Sequence, residues 1–383
     1  MNSKERVLTT LNHKEPDRVP LFLGAGNATG IQIQAFRKLK KHLGFNTPDR
    51  FLYDWPELGT ADLDEEFLQW AGSDVRGVFD RHPTSTLVEN ASRAPGDPFY
   101  DSWGIGQIQI EPGNWYPGIH PLTDAITIQE LNDYTHWPDM DDPSRFAHLR
   151  GEAQKLAEAN QYAVMATPWL LFPFERAIML QGMEAFFMNL VMRPEFSMEL
   201  LRRCVEYCKQ LMGHVLDACG EYIDVIKIGD DLGTNTNLLI SPKMYRQFLK
   251  PIHADYIQFI KERTSAKVFF HSDGNIVSLL DDLIEIGVDI LNPIQTSAGE
   301  MGDLPALKKR YGQALTLCGA IDTTSVLPLG TPTQVRDEVR RVIEHLAPGG
   351  GFIVAAVHII QNNVPPENIV AMIDAIQEFG EYR

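Results

Sequence analysis

The 383-residue chain has no surplus of positive charge: 34 Lys and Arg stand against 51 Asp and Glu, a net charge of −17. Phosphate binding needs a basic face, so this balance argues against a nucleic-acid partner. Cysteine is scarce. Cys204, Cys208, Cys219 and Cys318 lie at irregular spacing, which excludes a disulfide framework. Cys204 and Cys208 are four apart in a helical pattern and, with Cys219, read as a buried apolar face. Long hydrophobic runs are missing too, and no stretch approaches the roughly 18 uninterrupted apolar residues that a membrane-crossing helix needs. The opening MNSKERVLTTLNHKEPDR scatters charges where a secretory signal would place an apolar core, so a cytoplasmic location is expected. No Gly-x-Gly-x-x-Gly turn occurs, and without it a dinucleotide-binding sheet has no phosphate cradle. Repeats, low-complexity tracts and linkers are absent as well, so the expectation is one domain spanning 1–383.

What the chain does have is a regular alternation in its second half. Short β-branched runs end in polar or glycine residues and are followed by amphipathic helical patterns. Strands are expected at AVMATPWL (163–170), DVIKIGDDLG (224–233), AKVFFHSDG (266–274), VDILNPIQ (288–295), ALTLCGAID (314–322) and GGFIVAAVHI (350–359). Helices are expected over 184–212, 242–264 and 333–345. Earlier strands are expected at RVPLFLGA (18–25) and RFLYDW (50–55). Strand, turn and helix repeated in this way build βαβ units and a parallel sheet. Eight such strands point to an α/β fold, a single (β/α)8 TIM barrel. Residues 72–142 break the rhythm with Pro, Gly, Trp and Asp, and read as a long inserted excursion near the barrel mouth.

In a barrel, reactive groups project from the C-terminal strand ends. Here those ends carry Asp230 and Asp231, then His271 and Asp273, then Asn292 and Gln295, then Cys318 and Asp322, then His358; PFER after the third strand adds Glu175 and Arg176. His271, Cys318 and His358 are good ligands for zinc, and Asp273 is a candidate oxygen ligand. Each also has a structural reading: a core histidine, a small buried thiol, a turn cap. Adjacent strand residues face opposite sides, so at most one of Asp230 and Asp231 faces the interior, and that one is expected to contact substrate. Glu175 and Arg176 have an ion pair as their alternative. Trp103 and Trp115 either shield a substrate or pack the excursion.

The blocks KERVLTTLNHKEPDRVP, DSWG, HPLTDA, GDDLG with ISPKMYRQFLKP, HSDGNI, and GGGFIVAAVH with VPPENI resemble the uroporphyrinogen decarboxylase superfamily across nearly the whole chain. The resemblance implies a (β/α)8 barrel with its site at the C-terminal mouth. Decarboxylases of that superfamily carry an arginine-rich motif after the first strand, where this chain reads PLFLGAGNATG. The branch that it resembles instead is the cobalamin-dependent methyltransferases. Thiol-activating members hold zinc with a His-x-Cys pair after the fifth strand and a Cys after the eighth. The corresponding positions here are His271-Ser272-Asp273 and His358, so the histidine matches and both cysteines are replaced. An N/O-rich site suits an oxygen leaving group. The resemblance therefore implies a methyltransferase, O-demethylase-like, that moves a methyl group from a small donor such as a methyl ether to a corrinoid protein. A zinc ion, or a protonated His271 or His358, would assist the leaving group. Asp273 would fix a histidine tautomer or complete the metal shell. Substrate contacts would come from Tyr245, Asn292 and Gln295, with Glu175, Arg176, Asp322 and Trp103 at the rim. Cobalamin would be carried by the partner, because this chain has no Asp-x-His-x-x-Gly loop. A homodimer is expected from the superfamily. The alternative is a decarboxylase-like lyase without metal, in which Asp230 or Asp231 and His271 form an acid–base pair.

Overall fold

The computed structural model describes all residues except 55–58, 84–85, 87–93, 95, 112–113, 170–171 and 383. Its centre is a curled parallel sheet of seven strands: β1 (Val75–Val78), β5 (Ala163–Ala166), β6 (Val225–Gly229), β7 (Lys267–His271), β8 (Ile290–Ile294), β9 (Thr316–Ile321) and β10 (Phe352–Ala356), in that order. The segment around Leu21 fills the remaining place in the ring. Leu21 bridges Val354 of β10 in parallel, and its carbonyl accepts the Asp74 N–H at 2.9 Å beside β1. The Asp74 carboxylate in turn accepts the Leu21 N–H and is paired with Arg6 and Arg18. This is a TIM-barrel-like α/β architecture, as the strand–helix alternation implies.

Two expectations for the first half change. The run at 50–55 is not a strand: Phe51 makes a single bridge to Ala61, Leu52–Asp54 is a short 3-10 turn, and Tyr53 sits at φ 59°. Its aromatic character serves packing, since the Tyr53 ring lies 5.6 Å from Phe79 and 5.1 Å from Trp169. Trp55 and Leu170, at the ends of two expected strands, lie outside the described residues. The barrel strand in this region is β1, which the reading of 72–142 as an excursion had absorbed. The true insertion begins after Val78 and contains a three-stranded antiparallel sheet, β2 (Phe99–Tyr100), β3 (Gly106–Glu111) and β4 (Asn114–Ile119). A short helix, Ile128–Asp133, follows behind a Thr127 capping box.

Side chains alternate along each barrel strand, and that parity builds the site. Val225, Phe269, Ile290, Cys318 and Ile353 form one inner apolar cluster with Phe22, Val75 and Met165, closed below by Val7 and Leu11. Their outward neighbours, such as Ile226, Phe270, Leu291 and Val354, belong to the larger core against the helices. Two residues further along the inner face come Lys227, His271 and Asn292, all buried. A layer of polar groups thus rests on a dry apolar floor. Among the described residues, no helix is long and apolar enough to cross a membrane.

Candidate functional site

His271 ends β7, where its backbone pairs with Asn292 of β8 in register. Its Nδ1 lies 2.7 Å from Asn292 Oδ1. The amide nitrogen of Asn292 donates to Cys318 Sγ at 3.7 Å, so the amide oxygen is free to accept and Nδ1 of His271 carries the proton. Nε2 is then a bare lone pair. It lies 3.8 Å from Asp273 Oδ2, and His358 Nε2 reaches the same oxygen at 3.8 Å. The two imidazole rings are 5.6 Å apart. One donor atom from each of His271, Asp273 and His358 falls within 4.8 Å of the others.

The surroundings are acidic and dry. The Asp273 N–H donates to Asp231 Oδ1 at 2.9 Å, and the Asp231 N–H donates to Glu175 Oε1 at 2.9 Å. Burial pushes the Asp273 carboxyl up to about 8, with the Asp231 carboxylate adding to the shift and Lys227 opposing it. Glu175 is held well above the usual carboxylate range by burial and then by Asp231 and Asp230, and burial likewise raises Asp231. Burial drives His358 down to about 4, with the Lys227 ammonium contributing. His271 is pushed well below the usual histidine range by burial, then Lys227 and His358, against its bond to Asn292. Both rings are therefore neutral at pH 7, which disfavours the expected protonated His271 or His358.

The triad fits a divalent cation of borderline hardness. Two neutral imidazoles and a carboxylate supply three ligands, the number typical of a catalytic zinc that keeps one position open. Their 3.8 Å separations are near the roughly 3.4 Å between tetrahedral zinc ligands. Asp273 Oδ1 is buried without a hydrogen-bond partner among the described residues. Three neighbouring acids would be relieved by added positive charge.

Several expected site residues lie elsewhere. Cys318 is not in the metal-binding group. It belongs to the inner apolar cluster, behind Asn292, and burial holds its thiol protonated. Asp230 has the outward parity of Ile226 and Ile228. Its carboxylate accepts the N–H groups of Phe174 and Glu175 at 3.0 and 2.8 Å, at the start of the helix Pro173–Gln181, and contacts His253 Nε2 at 2.8 Å. Tyr245 lies in the same buried chain, its hydroxyl 3.3 Å from His253 Nδ1, and so stands behind the sheet rather than against a substrate. Asp322 is consumed locally, capping Thr324, Ser325 and Val326. Gln295 joins two mouth loops, accepting from the Gly274 N–H and donating to Asn235. Glu175 and Arg176 do not pair with each other. Arg176 bonds Asp101 at 2.9 Å and lies 4.8 Å over the Trp103 ring, which clamps the insertion to the barrel. Trp103 packs edge-on against Trp137 and Tyr207, and Trp115 against Phe99.

One residue of the mouth escaped the sequence reading. Lys227 points inward from β6, 4% exposed, and donates to Asn27 Oδ1 at 2.8 Å. A lone cation inside the apolar run VIKIG was the available signal.

Residues 108–379 match the family model described as uroporphyrinogen decarboxylase (URO-D). Relatives include uroporphyrinogen decarboxylases of Coxiella burnetii, 25% identical over 161 residues (41% of each chain), and of Legionella pneumophila, 32% identical over 144 residues (37% of this chain and 38% of the relative). The chain thus matches only about two fifths of the length of those decarboxylases. A methylated-thiol–coenzyme M methyltransferase of Methanosarcina mazei is 23% identical over 268 residues, 69% of this chain and 67% of that protein. A solved methyltransferase from Methanosarcina mazei superposes with a TM-score of 0.66 over 99% of both chains at 19% identity, a likeness of fold.

Proposed function

This chain belongs to the uroporphyrinogen decarboxylase (URO-D) family, and from that premise we propose that it is a methyltransferase moving a methyl group between a small methylated substrate, such as a methyl ether, and a corrinoid protein. The observation that carries this reading is the cluster of His271, Asp273 and His358 at the C-terminal mouth of the barrel. Similarity to the Methanosarcina mazei methyltransferase supports methyl transfer as the reaction type. A bound zinc ion would supply Lewis acidity toward the leaving oxygen, and cobalamin carried by a partner would be the methyl acceptor.

The chain's own residues then have distinct tasks. His271 presents a neutral Nε2 lone pair, its tautomer fixed by Asn292, and His358 adds a second neutral imidazole. Asp273 contributes one oxygen, oriented through its N–H bond to Asp231. Asp231, the inward member of its pair, is held from behind by its own N–H bond to Glu175. The apolar floor beneath this layer excludes water, which strengthens electrostatic stabilisation of charge developing at the leaving atom. A site with no cysteine at either replaced position is harder than a thiol-activating one and suits an oxygen donor.

The decarboxylase-like alternative has less support at the mouth. A polycarboxylate substrate would need several free cations, whereas Arg145 and Arg176 are committed to Asp80 and Asp101. The loop of residues 24–30 supplies Asn27, not arginine. The test is metal analysis of protein purified without chelator, for wild type and His271→Ala, followed by methyl transfer from methyl ethers and methyl thiols to a corrinoid acceptor. About one zinc per chain, lost in the variant, together with transfer from an ether supports the reading. Metal-free wild-type protein that decarboxylates a porphyrinogen overturns it.

A further inference from the structure

The insertion after β1 carries a small sheet whose exposed face is apolar. Its other face is occupied, because Phe99 and Trp115 pack with Tyr53, Phe79 and Trp169 beside the ends of β1 and β5. An antiparallel sheet that covers a core on one side ordinarily turns polar residues to water on the other. Here that order is reversed. Ile108 lies opposite Tyr116 across the β3–β4 ladder, one step from the Gln109–Trp115 pair and so on the other face. Ile108, Tyr116 and Ile119 are exposed, and Ile110 is 63% exposed. Two glycines make room for these side chains: a Cβ at Gly118 would lie 2.4 Å from Ile108 Cδ1, and one at Gly106 would lie 2.7 Å from Ile119 Cβ.

The apolar surface runs on to the helix Met183–Met192. His120, directly after Ile119, has Nδ1 2.7 Å from the Met179 carbonyl oxygen, and a Cβ at Gly182 would lie 3.2 Å from its ring. That helix turns Met188, Val191 and Met192 outward, with Val191 69% exposed. Methionine is flexible and polarisable, which suits a face that a partner meets and leaves. An extended apolar patch with a polar border marks an interaction site.

Charge selects the occupant. Residues 94–144 hold nine Asp and Glu and no Lys or Arg, more than half of the net charge of −17. Asp124 and Glu184, both exposed, border the patch. A second copy would set two such acidic segments against each other, whereas a partner with Lys and Arg around an apolar centre is complementary. The insertion is also joined to the mouth, because the bond from Arg176 to Asp101 fixes it next to Glu175. A cobalamin carried by a protein has to approach the triad along this rim.

We propose that the outer face of the β2–β3–β4 sheet, continued by the helix Met183–Met192, is the docking surface for the corrinoid protein, whose own contact face is apolar with a basic border. The identity of the partner rests on the methyl-transfer reading above; the surface rests on exposure and charge.

The experiment follows methyl transfer from a methyl ether to two acceptors, free cob(I)alamin and a corrinoid protein charged with cob(I)alamin. Wild type, Ile110→Ser, Val191→Ser and Asp124→Lys are compared, with zinc content and sedimentation velocity recorded for each. The two apolar sites lie on different elements, so misfolding of one variant leaves the other as the test. KM for the corrinoid protein is expected to rise about tenfold in Ile110→Ser and in Val191→Ser, while kcat, zinc content and the rate with free cob(I)alamin stay at wild-type values. Asp124→Lys should raise the same KM, and added salt should raise it in wild type. An unchanged KM in both apolar variants, or a wild-type KM indifferent to salt, overturns the assignment. So does a wild type that methylates free cob(I)alamin and no corrinoid protein, an outcome that leaves the methyl-transfer reading standing. A wild type that sediments as a dimer, and as a monomer after Ile110→Ser, gives the face to a second copy and overturns the assignment as well. Transfer to neither acceptor removes the methyl-transfer reading, and the docking assignment falls with it.

Discussion

His271 and Asn292 face each other across the β7–β8 ladder, and the imidazole Nδ1–H donates to the amide oxygen at 2.7 Å. Neither residue could be moved by one position without breaking the pair, because a one-residue slip turns every side chain to the other face. The bond decides which histidine nitrogen is available at the mouth, and it does so without occupying a ligand position. Asn292→Ala should therefore leave the triad present but poorly oriented. Zinc affinity measured by chelator competition is expected to fall about 10–100-fold, with the far-ultraviolet spectrum unchanged. Unaltered zinc affinity would show that Asn292 only fills the core.

The parity of β6 separates two adjacent acids. Asp230 is fully buried, accepts two backbone N–H groups and contacts His253, whereas Asp231 turns to the mouth. Asp230→Ala removes a buried acceptor and strands its donors, a loss of about 1–3 kcal/mol in unfolding free energy. Urea unfolding should register that cost, and metal content should survive it. Asp231→Asn should show the opposite profile, with near-wild-type unfolding and weakened metal binding through the freed Asp273. Identical behaviour of the two variants would refute the division.

Cys318 gives a test of which side chains hold the metal. The thiol sits in the inner cluster with Phe269, Ile290 and Ile353 and is held protonated by burial. Cys318→Ala should cost only about 1 kcal/mol of stability, the usual price of a small buried deletion, and zinc stoichiometry should stay at its wild-type value. Loss of the metal in this variant would restore the thiol as a ligand and displace Asp273 or His358 from that role.

Much of the barrel was readable because parallel strands buried on both faces leave nearly unbroken apolar runs. VFF, DIL and FIV announce β7, β8 and β10 for this reason, and the helices between them follow from their apolar stripes. β1 was not readable: four residues with Arg76 and Gly77 among them carry less signal than the aromatic run at 50–55, whose rings pack as a turn. At the site, residue type placed His271, Asp273 and His358 at the mouth, since their strand ends are fixed by the apolar runs before them. Cys318 and Asp230 misled because type says nothing about depth or face. Counting by twos from Val225 would have turned Asp230 outward and exposed Lys227 as an inward cation. The partnership of Arg176 with Asp101, 75 residues apart, has no sequence periodicity to betray it.

Lys227 also ties the site to stability through pH. Burial brings its ammonium down to about 8, against the opposing pull of Glu175, Asp231 and Asp273. In the unfolded chain the group titrates near 10.4. Below pH 8 the lysine is charged in both states, and the folded protein bears the full penalty of burying that charge. Between pH 8 and about 10.4 the unfolded chain binds more protons than the folded one, so this residue's contribution to stability rises with pH. Above that range both states are neutral and the penalty is gone. A separation of about 2 pH units corresponds to roughly 3 kcal/mol as an upper figure. Lys227→Met removes the penalty, so without ligand the variant should be more stable than wild type at pH 7. Its advantage should shrink through pH 8 to 10.4, as followed by urea unfolding at a series of pH values. A Lys227→Met variant that is less stable than wild type at pH 7, with a difference independent of pH, would mean that the neighbouring acids already compensate the ammonium.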